Sequence, residues 1–200
     1  MGSLYLSTTD LLKAADPVME LLNELTSEAV NLGILDKGNL VIVMKKESKH
    51  VFRFSHHIGS VMPAYAASMG KALLSQLPDE GVDRLYPEQL RPMTKKTVLT
   101  RTELKSELAE IRKNGYAVDH QGSYQGMEGI AWIIRDVSGQ PVAGMSIAVL
   151  IFRIDQARRE KLIPLVNMAN RLISYRLGYR DTQNRIHDVA DIRTWWEQNE

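Results

Sequence analysis

The sequence predicts an α+β fold, an antiparallel sheet of about five or six strands flanked by helices. Two groups of strand-length apolar runs, residues 29–54 and 116–149, carry that reading. Helical spacing of apolar residues lies before, between and after them, and hairpin turn chemistry sits inside both groups. The order is helix, strands, helices, strands, helix, which is not a dinucleotide-binding alternation.

Taken in order, Thr9 or Asp10 caps a short helix bearing Leu11, Leu12, Ala14 and Ala15. Asp16-Pro17 starts a second, with Val18, Leu21, Leu22 and Leu25 on one face to about Thr26. Ala29–Leu35 reads as a strand, Asp36-Lys37-Gly38-Asn39 as its turn and Leu40–Met44 as the return strand. Val51-Phe52-Arg53-Phe54 alternates as a third strand. A small-residue helix starts between Pro63 and Ser68 and stops at Pro78, followed by a loop-rich stretch with a helical turn near Asp79–Leu85. Thr100-Arg101-Thr102-Glu103 is a capping box, Leu104, Leu108 and Ile111 share a helix face, and Asn114-Gly115 is its left-handed stop. Tyr116–Asp119, Ile130–Arg135 and Val142–Val149 are strands, with a polar loop at 120–129. A long helix from about Asp155 to Leu177 ends at Gly178, and Ile186, Val189, Arg193 and Trp196 hint at one more.

Bulk properties exclude several classes. The 200 residues suit one domain plus a flanking segment. A net charge of +1 gives no overall attraction to nucleic acid or an anionic membrane. Without cysteine there are no disulfides, thiolate nucleophiles or cysteine zinc sites, and a reducing cytoplasm fits. The apolar run 143–152 is too short to span a bilayer, which needs about 20 residues. Met1-Gly2-Ser3 shows no signal-peptide character and reads as a vector-derived scar.

The chemistry concentrates around residues 57–74. The helix there opens with Ala66, Ala67, Ser68 and Gly70, so another group can approach its first-turn amides closely, and such amides attract anions. Gly70-Lys71 is not a phosphate loop, because Tyr65 and Ala72 stand where glycine and a magnesium-binding hydroxyl belong. His56 and His57, adjacent on an extended segment, point to opposite faces and do not form a metal site with His50. No nucleophile elbow or paired-histidine zinc motif occurs, and no cofactor is implied. Ser146 lies in an apolar strand on the same face as Gly144 and Ala148. Asp119 ends a strand beside a loop containing Gly126 and Gly129. A small, slightly polar surface of that kind is what a small-molecule pocket needs. The residues alone leave three readings open: a metabolite sensor, an enzyme acting on a small organic acid through Lys71 or the histidines, and an oligomerisation module.

Four segments, taken together, resemble a known family. They are His57-Ile58-Gly59-Ser60-Val61-Met62-Pro63-Ala64-Tyr65-Ala66-Ala67-Ser68-Met69-Gly70-Lys71-Ala72-Leu73-Leu74; Thr97-Val98-Leu99-Thr100 with Leu104, Leu108 and Asn114-Gly115-Tyr116-Ala117-Val118-Asp119; Gly126-Met127-Glu128-Gly129-Ile130-Ala131; and Gly139-Gln140-Pro141-Val142-Ala143-Gly144-Met145-Ser146. In this order they are similar to the signature of IclR-type bacterial transcriptional regulators, over roughly Leu4–Tyr179. The resemblance implies a GAF-like effector-binding domain over 16–179. Residues 1–15 would be scar and linker end from a winged helix-turn-helix domain missing from this chain; the polar tail 180–200, where the apolar spacing hints at a helix, runs past the usual family end. It also implies a small carboxylate effector such as a keto, sugar or aromatic acid, a homodimer or tetramer, operator DNA only through the missing domain, and no membrane. Carried over by position, the carboxylate would rest on Ser68, Met69 and Gly70. Asp119 and Ser146 would bind its other oxygens, Gly129 would line the loop side, and Val51, Phe54 and Met62 would form an apolar wall. Gly129 stands where some relatives carry a thiol and Ala148 where some carry a hydroxyl, which leaves more room and fewer donors.

Overall fold

A computed structural model describes residues 2–53 and 57–199. Helix α1, Gly2–Thr26, runs through Pro17 unbroken where the sequence predicts two helices. An internal proline costs about 3 kcal/mol. Val18, Met19 and Leu22, just beyond it, are fully buried, and each such burial contributes about 1.5–3 kcal/mol. Packing therefore outweighs the break.

Strands β1, Ala29–Asp36, and β2, Asn39–Lys46, form the expected hairpin. Lys37 and Gly38 both take positive φ, 46° and 82°, the two-residue turn whose twist matches that of the strands. The predicted third strand at Val51–Phe54 is a correction. Residues 51–52 bend and Val51 is 88% exposed, while Phe54 lies outside the described residues. The partner of β2 is instead β3, Val61–Pro63, which buries Met62 and pairs it with Leu40. Alternation alone does not say which of two nearby apolar segments wins an edge. Gly59 and Ser60 extend the β3 pairing through backbone bonds to Ile42, so that edge is taken.

After a 3-10 turn at Ala64–Ala66 comes α2, Ser68–Leu74, then α3, Asp79–Leu85, and α4, Arg101–Asn114. Thr100 and Glu103 close the capping box, and Gly115 ends α4 at φ 82°. Strand β4 is Ala117–His120, β5 is Met127–Arg135 and β6 is Pro141–Leu150. Helix α5, Gln156–Arg176, starts on the Asp155 side chain, and α6 spans Val189–Asn199. Ile192 of α6 is fully buried, and Trp195 and Trp196 pack on the same core. Among the described residues no helix is long and apolar enough to cross a membrane.

Among the described residues the sheet has six strands, all antiparallel, in the order β3-β2-β1-β6-β5-β4. Its two faces differ in side-chain size. Val30, Leu32, Ile130, Ile147 and Val149 form one face and pack under α1 and α5. The other carries Ala117, Ala131, Gly129, Ser146 and Ala148, opposite in the strand alternation, with α2 and α4 over it. Small side chains let α2 come close. The Cα hydrogens of Gly144 and Gly129 face α2, where a Cβ would meet Met69 Cβ at 3.3 Å and Ser68 Oγ at 2.6 Å.

Candidate functional site

The site is built from two cross-strand rows on that small-residue face. Asp119 pairs with Gly129 and Gly129 with Ala148 in one row; Ala131 pairs with Ser146 and Ser146 with Asn31 in the next. Residues two apart on each strand share a face, so the rows lie side by side. The N-terminal turn of α2 roofs them. Between roof and floor is a cavity of about 30 Å³ that brings together Met62, Ser68, Met69, Asp119, Gly129 and Ser146.

Three polar side chains in its wall are buried, Asn31 at 3%, Ser68 at 4% and Ser146 at 3% exposure. Among the described residues none of the three makes a hydrogen bond to another protein group. The polar atoms of these three are not among those sealed away without a partner; they open onto the cavity, where a polar group can meet them. Three polar side chains thus converge on one small space.

Asp119, 2% exposed, is tied down by its own loop. One carboxylate oxygen accepts from the Gly122 amide at 2.7 Å, the other from the Ser123 amide at 3.0 Å and from the Ser123 hydroxyl. Burial pushes its carboxyl above the usual range, and the Ser123 bonds, nearby Lys71 and the Gly122 amide pull against it. Lys71 itself is buried and its ammonium meets Glu107 at 2.6 Å, so it is a packing and pairing lysine. Glu128 borders the cavity with its side chain fully buried. Burial raises its carboxyl, but bonds from Arg159 at 2.6 and 3.0 Å and from His120 at 2.7 Å outweigh this and hold it below the ordinary value.

Lys71 is the first residue of α2 whose amide bonds back one helical turn, to Ala67. The amides of Ser68, Met69 and Gly70 precede it and, among the described residues, have no acceptor of that kind. Gly70 does not line the cavity. It sits against the 3-10 turn, where a Cβ would lie 2.1 Å from the Ala64 carbonyl oxygen. Val51 does not reach the cavity either, being exposed, and Phe54 lies outside the described residues.

Asn31, Ser123 and Glu128 are lining residues that sequence reasoning missed. Asn31 carried a usable signal, a lone amide inside the apolar run Ala29–Leu35, the same argument that singles out Ser146. Ser123 carried none, since its position depends on how the 120–126 loop folds back on Asp119; Glu128 lies in β5 one residue out of phase with Gly129, and its carboxylate is held by Arg159 of α5 and His120.

The chain's residues 3–175 match the family model described as "Bacterial transcriptional regulator IclR C-terminal". The HTH-type transcriptional regulator KdgR of Escherichia coli (strain K12) is 31% identical over 182 residues, 90% of this chain and 69% of that protein. The transcriptional repressor IclR of the same organism is 32% identical over 181 residues, 89% of this chain and 66% of that protein. The crystal structure of the C-terminal domain of E. coli KdgR superposes with a TM-score of 0.77 at 30% identity, covering 85% of this chain and 99% of that one. The chain thus spans about two thirds of the length of these curated relatives, which are named as regulators and repressors. It belongs to the IclR family of bacterial transcriptional regulators and has the fold of their C-terminal domain.

Proposed function

We propose that this chain is the metabolite-sensing and oligomerisation part of an IclR-family regulator, and that its effector is a small carboxylate bound beneath α2. The observation that carries the reading is the set of buried, unmatched side chains Asn31, Ser68 and Ser146 around one cavity. In this reading the effector's carboxylate meets Ser68 and the first-turn amides of α2. A keto or hydroxyl oxygen meets Asn31 and Ser146, and a hydroxyl also donates to Asp119. A charge at a helix N-terminus adds about 0.3–1 kcal/mol when exposed and up to ~2 when partly buried.

The cavity's small size supports a sensor over a passive carrier. A space of about 30 Å³ is roughly one water's share of liquid volume, so even a three-carbon acid must push something aside. Met62, Met69 and Met127 line it, and methionine side chains repack readily. Binding that displaces the roof differs in free energy between the two arrangements, which is the condition for shifting a population. A DNA-binding domain joined ahead of α1 would register the shift as changed operator affinity, within a homodimer or tetramer in the cytoplasm.

The test is a thermal-shift screen of keto, hydroxy, sugar and aromatic acids against the chain and its Ser146→Val and Asn31→Leu variants. A ligand at 100 times its Kd should add about 2.7 kcal/mol to the parent, and the variants should lose most of that gain. A screen in which no acid stabilises the parent, or in which both variants respond as strongly, contradicts the proposal.

A further inference from the structure

A second, larger cavity of about 720 Å³ shares no residue with the first. It is walled by the C-terminal end of α4, the outer half of β5, the second half of α5 and the segment that follows α5. Its volume falls in the range of small-molecule sites, about 300–1,000 Å³.

Its chemistry is that of an anion site with a flat apolar side. Arg112, Arg135 and Arg171 line it against a single carboxylate, Asp181. Arg112 pairs with Asp79 and Arg171 with Asp181. Arg135 bonds only neutral acceptors among the described residues, the Gly139 carbonyl at 2.8 Å and the Gln76 side-chain oxygen at 2.7 Å. Among the described residues it has no ion-pair partner. On α5, Asn170 is 1% exposed; its amide nitrogen donates to the Val166 carbonyl, but its Oδ1 has no partner among the described residues. The neighbouring Arg171 Nε is also buried and unmatched. One wall thus holds a donor and an acceptor, both costly to leave unmet. Trp132, stacked on Tyr116 at 4.8 Å between ring centroids, offers a rigid flat surface beside them.

We propose that this cavity is a second small-molecule site, distinct from the one beneath α2, for a flat organic anion that also bears a hydroxyl. The anionic head pairs with Arg135, whose planar fork suits a carboxylate or a phosphate ester. The hydroxyl donates to Asn170 Oδ1, and the flat body lies on Trp132. The inference stands on this cavity's own residues and survives if the site beneath α2 binds nothing.

Titration calorimetry with 6-hydroxy-2-naphthoate, whose hydroxyl is too far from its carboxylate to bond to it, tests the proposal, with 2-naphthol and acetate as probes lacking the charge or the flat body. The parent should bind the naphthoate at one site and both controls at least about tenfold more weakly. Arg135→Gln and Asn170→Asp should each weaken binding by about tenfold or more, and Arg135→Lys by less, with melting curves showing every variant folded. Ser146→Val should leave this affinity unchanged. Absence of binding by the parent, equal binding by folded Arg135→Gln and Asn170→Asp, or loss of binding in Ser146→Val would each overturn the proposal.

Discussion

Replacing Gly129 by alanine tests the cavity at its narrowest point. A Cβ at Gly129 would lie 2.6 Å from Ser68 Oγ and 3.5 Å from Ser68 Cβ. Overpacking of this kind costs about 1–3 kcal/mol, while removing a glycine from a strand interior returns about 0.5–1 kcal/mol. Ser68 Oγ can rotate aside, so a net loss of about 1 kcal/mol is expected, seen as a fall in Tm of about 2–4 °C for a chain of this length. Ligand binding should suffer more. The new methyl is about as large as the water such a space holds, and the displaced hydroxyl no longer faces the guest. Losing one hydrogen bond to a charged group, about 1.5–3 kcal/mol, weakens binding by roughly ten- to a hundredfold. Calorimetry and thermal denaturation of Gly129→Ala, Ser68→Ala and the double variant separate the two effects. Ser68→Ala removes the clashing oxygen, so the double variant should regain about 1 kcal/mol relative to additivity while staying deficient in binding. A double variant no more stable than additivity, or a Gly129→Ala protein that binds as the parent does, would refute the geometry.

Arg159→Met strands the buried Glu128 carboxylate with His120 alone. Urea unfolding at neutral pH should show a loss of about 3 kcal/mol, the low end for breaking a buried pair because one partner remains. In the parent, Glu128 is held below its ordinary value, so its stabilisation is present above the unfolded carboxyl pKa and fades as pH falls through the lowered one; the variant should lack that acid-side decline. Thr100→Ala removes the hydroxyl that caps α4, and the same assay should register about 1 kcal/mol. Asp119 is raised by burial, so the folded chain holds its proton more tightly and stability from this group falls as pH climbs from the unfolded value through the raised one. An anionic effector seated beside it raises it further. Carboxylate affinity should therefore weaken as pH climbs through that raised value, and Asp119→Asn should flatten that slope; a pH-independent parent would count against an effector anion next to Asp119.

The fold was largely legible because its signals are local. The capping box at Thr100–Glu103, the left-handed stop at Gly115 and the paired positive φ at Lys37 and Gly38 all depend on a few adjacent residues. What sequence could not decide were competitions settled by packing. Pro17 does not split α1 because Val18, Met19 and Leu22 bury into the core, and Val51–Phe54 loses the sheet edge to Val61–Pro63. The same division holds at the site. Ser146 stands out as a hydroxyl in an apolar strand, and Ser68 as a small polar residue at a helix start. Ser123 enters only because the loop after β4 turns back onto Asp119, which no spacing announces. Val51 resembled a wall residue by position alone, and its exposure follows from the lost strand.

The most direct measurement is native mass spectrometry of the chain and its Asn31→Leu/Ser146→Val double variant, each expressed in the natural host and gently purified. A small organic acid should travel with the parent and be absent from the double variant, both folded. An acid retained equally by the two, or a parent that carries none and gains none when small acids are added back, would contradict the claim that Asn31, Ser68 and Ser146 exist to hold one.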